Sequence, residues 1–139
     1  MKFLAALALL ALTSASGAAT VRVVVEPQPD LTFNREVPSE LTLTTPWGQQ
    51  TALLKSGTLS TADPEHYFSR LDPVTLRIKV PAATKPGAYP VRLNTALYVC
   101  DQVIHLCSVR PAQATGELKV GKDAAPLTLT LKVPKLRSF

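Results

Sequence analysis

The chain has 139 residues, 46% of them hydrophobic, a length that suits one domain with one core and excludes a second catalytic domain of ordinary size. Fifteen basic residues stand against 10 acidic ones, and the charges are scattered, which suits solubility and weak attraction to acidic surfaces but is not a nucleic-acid footprint. Two cysteines and two histidines fall at no familiar metal-ligand spacing, so neither a zinc site nor any cofactor is expected.

The chain opens with one basic residue, Lys2, then an apolar run that stops near Leu12, then small residues through Ala18-Ala19. This is the three-part layout of a secretory signal peptide. It predicts a signal segment over 1–19, cleavage after Ala19, and a mature domain over 20–139. Loss of Lys2 leaves 14 basic residues against 10 acidic, a net charge of +4. The apolar run falls short of the roughly 20 residues that span a bilayer as a helix, and no later stretch is continuously apolar. The expectation is an exported protein, periplasmic or extracellular, with no permanent membrane span.

Further along, β-branched or alternating apolar residues recur at Val21–Val25, Glu40–Thr45, Thr51–Leu54, Val74–Val80, Val91–Cys100, Gly116–Val120 and Leu127–Val133. In Val74–Val80 the residues Val74, Leu76, Ile78 and Val80 share one face, and Thr75, Arg77 and Lys79 the other. Twelve prolines and six glycines mark the joints, as in Thr45-Pro46-Trp47-Gly48 and Lys85-Pro86-Gly87. About seven short strands with turns at this spacing predict an all-β, immunoglobulin-like, two-sheet antiparallel sandwich. The tail from Pro134 is expected to fray.

Cys100 and Cys107 are separated by six residues, and in an exported chain two thiols this close are expected to pair. If Val99–Asp101 and Leu106–Ser108 are hairpin arms, the two cysteines sit opposite each other at a Cα separation of roughly 4.5–5.5 Å. Val103-Ile104 makes a poor tight turn, so the tip is expected to be wide. Closing about eight residues removes only roughly 2.5 kcal/mol of chain entropy, little for a structural staple. Two readings stand here: an inert hairpin staple, or an accessible bridge open to an attacking thiolate.

The segments Tyr98-Val99-Cys100, Asp101–Leu106 and Cys107-Ser108-Val109, with Pro64–Leu71 and the strand Val74–Val80 upstream, resemble the N-terminal periplasmic domain of the DsbD thiol:disulfide interchange proteins. The similarity covers residues 50–120. Here the gap between cysteines is about one residue longer, and Ser108-Val109 stands where a proline follows the second cysteine. The resemblance implies an immunoglobulin-like domain relaying electrons, with Cys107 forming the mixed disulfide and Cys100 resolving it. It implies that His66-Tyr67-Phe68 matches the aromatic loop shielding the cysteines, with Tyr98 as the aromatic beside the first. The implied partners are thioredoxin-like or other exported thiol-disulfide proteins, with a separate membrane electron donor as a further candidate.

Other residues carry paired readings. His105 is either a solvated histidine at the hairpin tip or a group that favours a Cys107 thiolate. Tyr67 and Phe68 are either a cap on the bridge or core filler. Trp47 either packs on the end of the sandwich or offers a platform for a small ligand. Arg92 and Arg110 are surface charges or flank the pair. Asp63 and Glu65 have no assigned acid-base role, and no hydrolase arrangement is readable. The leading reading is an exported thiol-disulfide exchange domain; the alternative is a non-catalytic interaction or assembly module stapled by the same bridge.

Overall fold

The computed structural model describes residues 18–121 and 124–133. The expected signal segment up to residue 17 and the tail from Pro134 lie outside the described residues. Among the described residues ten strands form: β1 (Ala18–Val25), β2 (Leu31–Asn34), β3 (Ser39–Thr45), β4 (Gly48–Leu54), β5 (Gly57–Leu59), β6 (Tyr67–Leu71), β7 (Val74–Lys79), β8 (Gly87–Asp101), β9 (Leu106–Val120) and β10 (Leu127–Leu131). Among the described residues no helix is long and apolar enough to cross a membrane.

The strands make two sheets, one ordered β10-β1-β7 and one of seven strands running β4-β3-β8-β2-β6-β5 with β9 beside β8. The expected all-β, two-sheet sandwich is the fold observed. One pair departs from the antiparallel rule: β1 runs parallel to β10, Val21 opposite Leu127 through Val25 opposite Leu131. These strands come from opposite ends of the domain, so the long crossover a parallel pair needs is available. Ala18 and Ala19, placed before the expected cleavage point, open β1 against Lys79 and Ile78.

Alternation decides which face is buried. Val21, Val23 and Val25 on β1, Leu76 and Ile78 on β7, and Leu129 and Leu131 on β10 turn inward. They meet Leu41 and Leu43 on β3, Leu93, Leu97 and Val99 on β8, and Leu118 on β9. Each such side chain contributes about 1.5–3 kcal/mol through burial. Gly116 on β9 lets β10 close on it: a Cβ there would stand 2.9 Å from Leu129 Cδ2 and 3.3 Å from Leu127 Cδ2.

The long strand β8 organises the larger sheet. Strand β9 lies along it from Gly87↔Val120 to Asp101↔Leu106. Its other edge is shared by β3, opposite residues Arg92–Thr95, and by β2, opposite Val99–Asp101. The sheet therefore forks: β3 and β4 continue from one end of β8, and β2, β6 and β5 from the other. At the fork Ser39 Oγ accepts a hydrogen bond from Tyr98 N at 3.2 Å, and Thr95 Oγ1 donates to Glu40 O at 2.7 Å. The β2-β6-β5 arm carries residues from two distant parts of the sequence to the tip of the β8–β9 hairpin.

Trp47 occupies the Pro46-Trp47 turn between β3 and β4, packs against the core, and lies 5.2 Å from the Tyr89 ring. It serves as packing at the end of the sandwich.

Candidate functional site

Cys100 and Cys107 are bonded to each other. They stand directly opposite on β8 and β9 with Cα atoms 4.0 Å apart, closer than the spacing expected from the sequence. The neighbouring pairs are Val99↔Ser108 and Asp101↔Leu106, the register the sequence predicts. The tip is wide, as expected: four residues, Gln102–His105, join the arms. Asp101 forms this turn, its buried carboxylate accepting hydrogen bonds from Val103 N at 2.8 Å and Ile104 N at 3.2 Å. His105 closes the turn with φ of 53°, in the left-handed region that histidine enters more readily than most residues.

Sheet position makes the bridge asymmetric. Cys100 belongs to a strand flanked by β2 and β9 and is 3% exposed. Cys107 belongs to β9, which pairs with β8 alone among the described strands, and it is exposed. Both side chains lie on the outward face of the larger sheet, because Val99 on β8 faces the core and alternation turns Cys100 away from it.

Tyr67 approaches the bridge from β6. Asn34 on β2 is the cross-strand partner of Tyr67, and Phe33 that of Phe68. One residue of offset separates their fates. Phe68 points inward and is 6% exposed, whereas Tyr67 points outward with its Oη 4.0 Å from Cys107 Sγ. Tyr98 is half-buried two residues before Cys100. Asn34, Tyr98, Cys100, Cys107, Ser108 and Val109 border an open hollow of about 240 Å³ beside the bridge. Val109, two residues from Cys107 on the same face of β9, is 49% exposed, and Val103, Ile104 and Leu106 at the hairpin tip are each at least 41% exposed.

His66, next to Tyr67, holds two carboxylates. Its Nδ1 lies 2.9 Å from Asp63 Oδ1 and its Nε2 3.3 Å from Glu36 Oε1. The hydrogen bond to Asp63, then the charge of Asp63, raise its pKa from the ordinary 6.5, and Glu36 and Glu65 add to the shift. Glu36 is fixed in turn by Asn34, whose Oδ1 accepts hydrogen bonds from Glu36 N at 2.8 Å and Val37 N at 2.9 Å.

No family model matches this sequence, and no curated protein matches it. Among solved structures, a fimbrial assembly protein from Parabacteroides distasonis is similar with a TM-score of 0.43 and 6% identity. The alignment covers 86% of this chain and 53% of that one, so the chain spans about half the length of that protein.

Of the residues singled out in the sequence, Cys100, Cys107, Tyr67 and Tyr98 come together at one place. His66 stands behind Tyr67. Phe68 belongs to the core. His105 lies in the adjoining turn, and among the described contacts no hydrogen bond or ion pair joins it to the bridge. Arg92 does not flank the pair: eight residues along β8 place it about 26 Å from Cys100. Arg110 is three residues from Cys107 and so on the opposite face of β9, across from Leu97 and half-buried. Asn34, Glu36, Val109 and the turn-forming role of Asp101 enter only with the structure. An acidic residue just ahead of a hairpin tip is a recognisable Asx-turn signal and marks Asp101; Asn34 and Glu36 become visible only once β2 is paired with β6 and β8.

Proposed function

We propose that this domain is an exported thiol-disulfide exchange protein that passes electrons through the Cys100–Cys107 pair. The observation that carries the reading is the unequal exposure of the two sulfur-bearing residues, one open on an edge strand and one enclosed beside it. A thiolate from outside reaches Cys107 and not Cys100. The resemblance to the DsbD N-terminal domain supports the same assignment of roles, and an exported thioredoxin-like protein is the partner it implies.

The exchange balances as two displacements. A partner thiolate attacks Cys107 Sγ and forms a new S–S bond. The Cys100–Cys107 bond breaks, its electron pair goes to Cys100 Sγ, and that sulfur takes up a proton. A second partner thiolate then attacks the partner sulfur of the mixed disulfide and releases Cys107 as a thiolate. The domain gains two electrons, and the partner leaves as a disulfide. The reverse sequence begins with the Cys107 thiolate attacking a partner disulfide and ends with Cys100 resolving the mixed species.

Apolar surface around an exposed sulfur suits docking of a folded partner over the bridge. The test compares reduced single-cysteine variants reacting with oxidised glutathione. The Cys107 thiol in Cys100→Ser is expected to form the mixed disulfide at least about tenfold faster than the Cys100 thiol in Cys107→Ser, because access governs the rate. Equal rates would remove the division of roles. The same Cys100→Ser variant is expected to retain a thioredoxin-like partner as a stable mixed disulfide; failure to do so leaves a stapled interaction module.

A further inference from the structure

We propose that His66 is a positioning residue that holds the Tyr67 hydroxyl beside Cys107 Sγ while both ring nitrogens carry protons, so that access to the bridge increases as pH rises. The inference goes beyond the exchange reading, since it concerns the approach of any nucleophile to Cys107.

The contacts at both ring nitrogens suit a doubly protonated ring. Nδ1 lies 2.9 and 3.0 Å from the two oxygens of Asp63, and Nε2 lies 3.3 Å from Glu36. Carboxylates only accept, and a neutral imidazole has one N–H to offer. The imidazolium satisfies both contacts. The neutral ring must turn a lone pair toward one carboxylate and release it.

Those carboxylates belong to different segments. Asp63 lies in the loop before β6, where its backbone carbonyl accepts from His66 N at 3.3 Å and Tyr67 N at 3.1 Å. Glu36 lies in the connection after β2. The side-chain bridge thus ties the loop that launches Tyr67 to the sheet arm beneath it. Facing His66 are Asp63 and Glu65 from its own loop, Glu36 and Arg35 from the β2–β3 connection, and the Tyr67 ring at 6.3 Å. Arg35 is engaged elsewhere, its Nη1 donating to Pro64 O at 2.7 Å and its backbone N to His66 O at 2.8 Å. These contacts do not involve the imidazole ring, so loss of the imidazolium loosens the loop without detaching it.

The experiment measures the rate at which tris(carboxyethyl)phosphine reduces the bridge in the whole domain, quenched by alkylation, for the parent and for His66→Asn and Glu36→Gln. Rates are taken as the ratio of variant to parent at each pH, which cancels the phosphine's own titration. Both side chains are largely exposed, at 49% and 63%, so neither substitution opens the core. At about pH 5.5 each variant is expected to react about two- to fivefold faster than the parent, the range an exposed ion pair supports. As the pH rises through the parent's raised imidazole pKa the ratio is expected to fall to about one, because the parent then loses its imidazolium. In a Tyr67→Ala background the ratio should stay near one throughout. A ratio independent of pH, or one that survives in the Tyr67→Ala background, would overturn the proposal.

Discussion

Tyr67 Oη lies 4.0 Å from Cys107 Sγ although 40 residues separate the two in sequence. The contact exists because β2 bridges β8 and β6, so that the outward face of one sheet collects Tyr67, Asn34, Cys100 and Cys107. Replacing Tyr67 by Ala is expected to raise the rate of phosphine reduction of the bridge several-fold at neutral pH. Tyr67→Phe removes the hydroxyl that stands 4.0 Å from Sγ but keeps the ring, so its rate should fall between those of the parent and Tyr67→Ala. A Tyr67→Ala rate equal to the parent's would mean that the ring shields nothing.

Phe68 answers differently because it faces the core. Phe68→Ala is expected to cost about 3–5 kcal/mol in urea unfolding. Tyr67→Ala, on the outward face, should cost much less. The contrast between adjacent residues tests the register of β6 directly.

The strands legible in the sequence were those with long alternation. Val74–Val80 appears as β7, and its Leu76 and Ile78 are buried as expected. The segment Val91–Cys100 proves to be the centre of a 15-residue strand. Three strands escaped: β2, β5 and β6 have 4, 3 and 5 residues, and none of them alternates buried with exposed positions, so no period of two stands out. Between the expected hairpin arm Leu106–Ser108 and Gly116, residues 109–115 of β9 escaped because Arg110, Pro111 and Gln113 interrupt the apolar pattern; β9 is held by its partner β8 rather than by propensity. The cysteine pairing was expected from close spacing in a chain read as exported, and its register from taking Val99–Asp101 and Leu106–Ser108 as hairpin arms, the register observed. Its asymmetry was not, since exposure depends on which strand has neighbours on both sides. The aromatic segment was placed near the bridge by resemblance, but which of Tyr67 and Phe68 faces outward depended on a one-residue register in a strand the pattern did not reveal.

Asp101 should be the most sensitive polar position near the bridge. Its carboxylate holds Val103 N and Ile104 N, and both residues are exposed, so water can replace it in part. Asp101→Ala is therefore expected to cost about 1 kcal/mol in urea unfolding and to speed amide exchange across Gln102–His105. Asp101→Asn keeps an acceptor and should restore most of the protection.

The bridge itself should be a modest staple. It closes a separation of 7 residues, and the Cys100→Ser, Cys107→Ser double variant is expected to remain folded and lose no more than roughly 2.5 kcal/mol. Collapse of the fold in that variant would assign the bridge a structural role.

The decisive measurement is the equilibrium of the purified domain with a graded glutathione or dithiothreitol redox series, read by alkylation of Cys100 and Cys107. An exchange domain should interconvert while folded, at a potential above roughly −300 mV. A bridge that stays oxidised until the protein unfolds would contradict electron transfer through it.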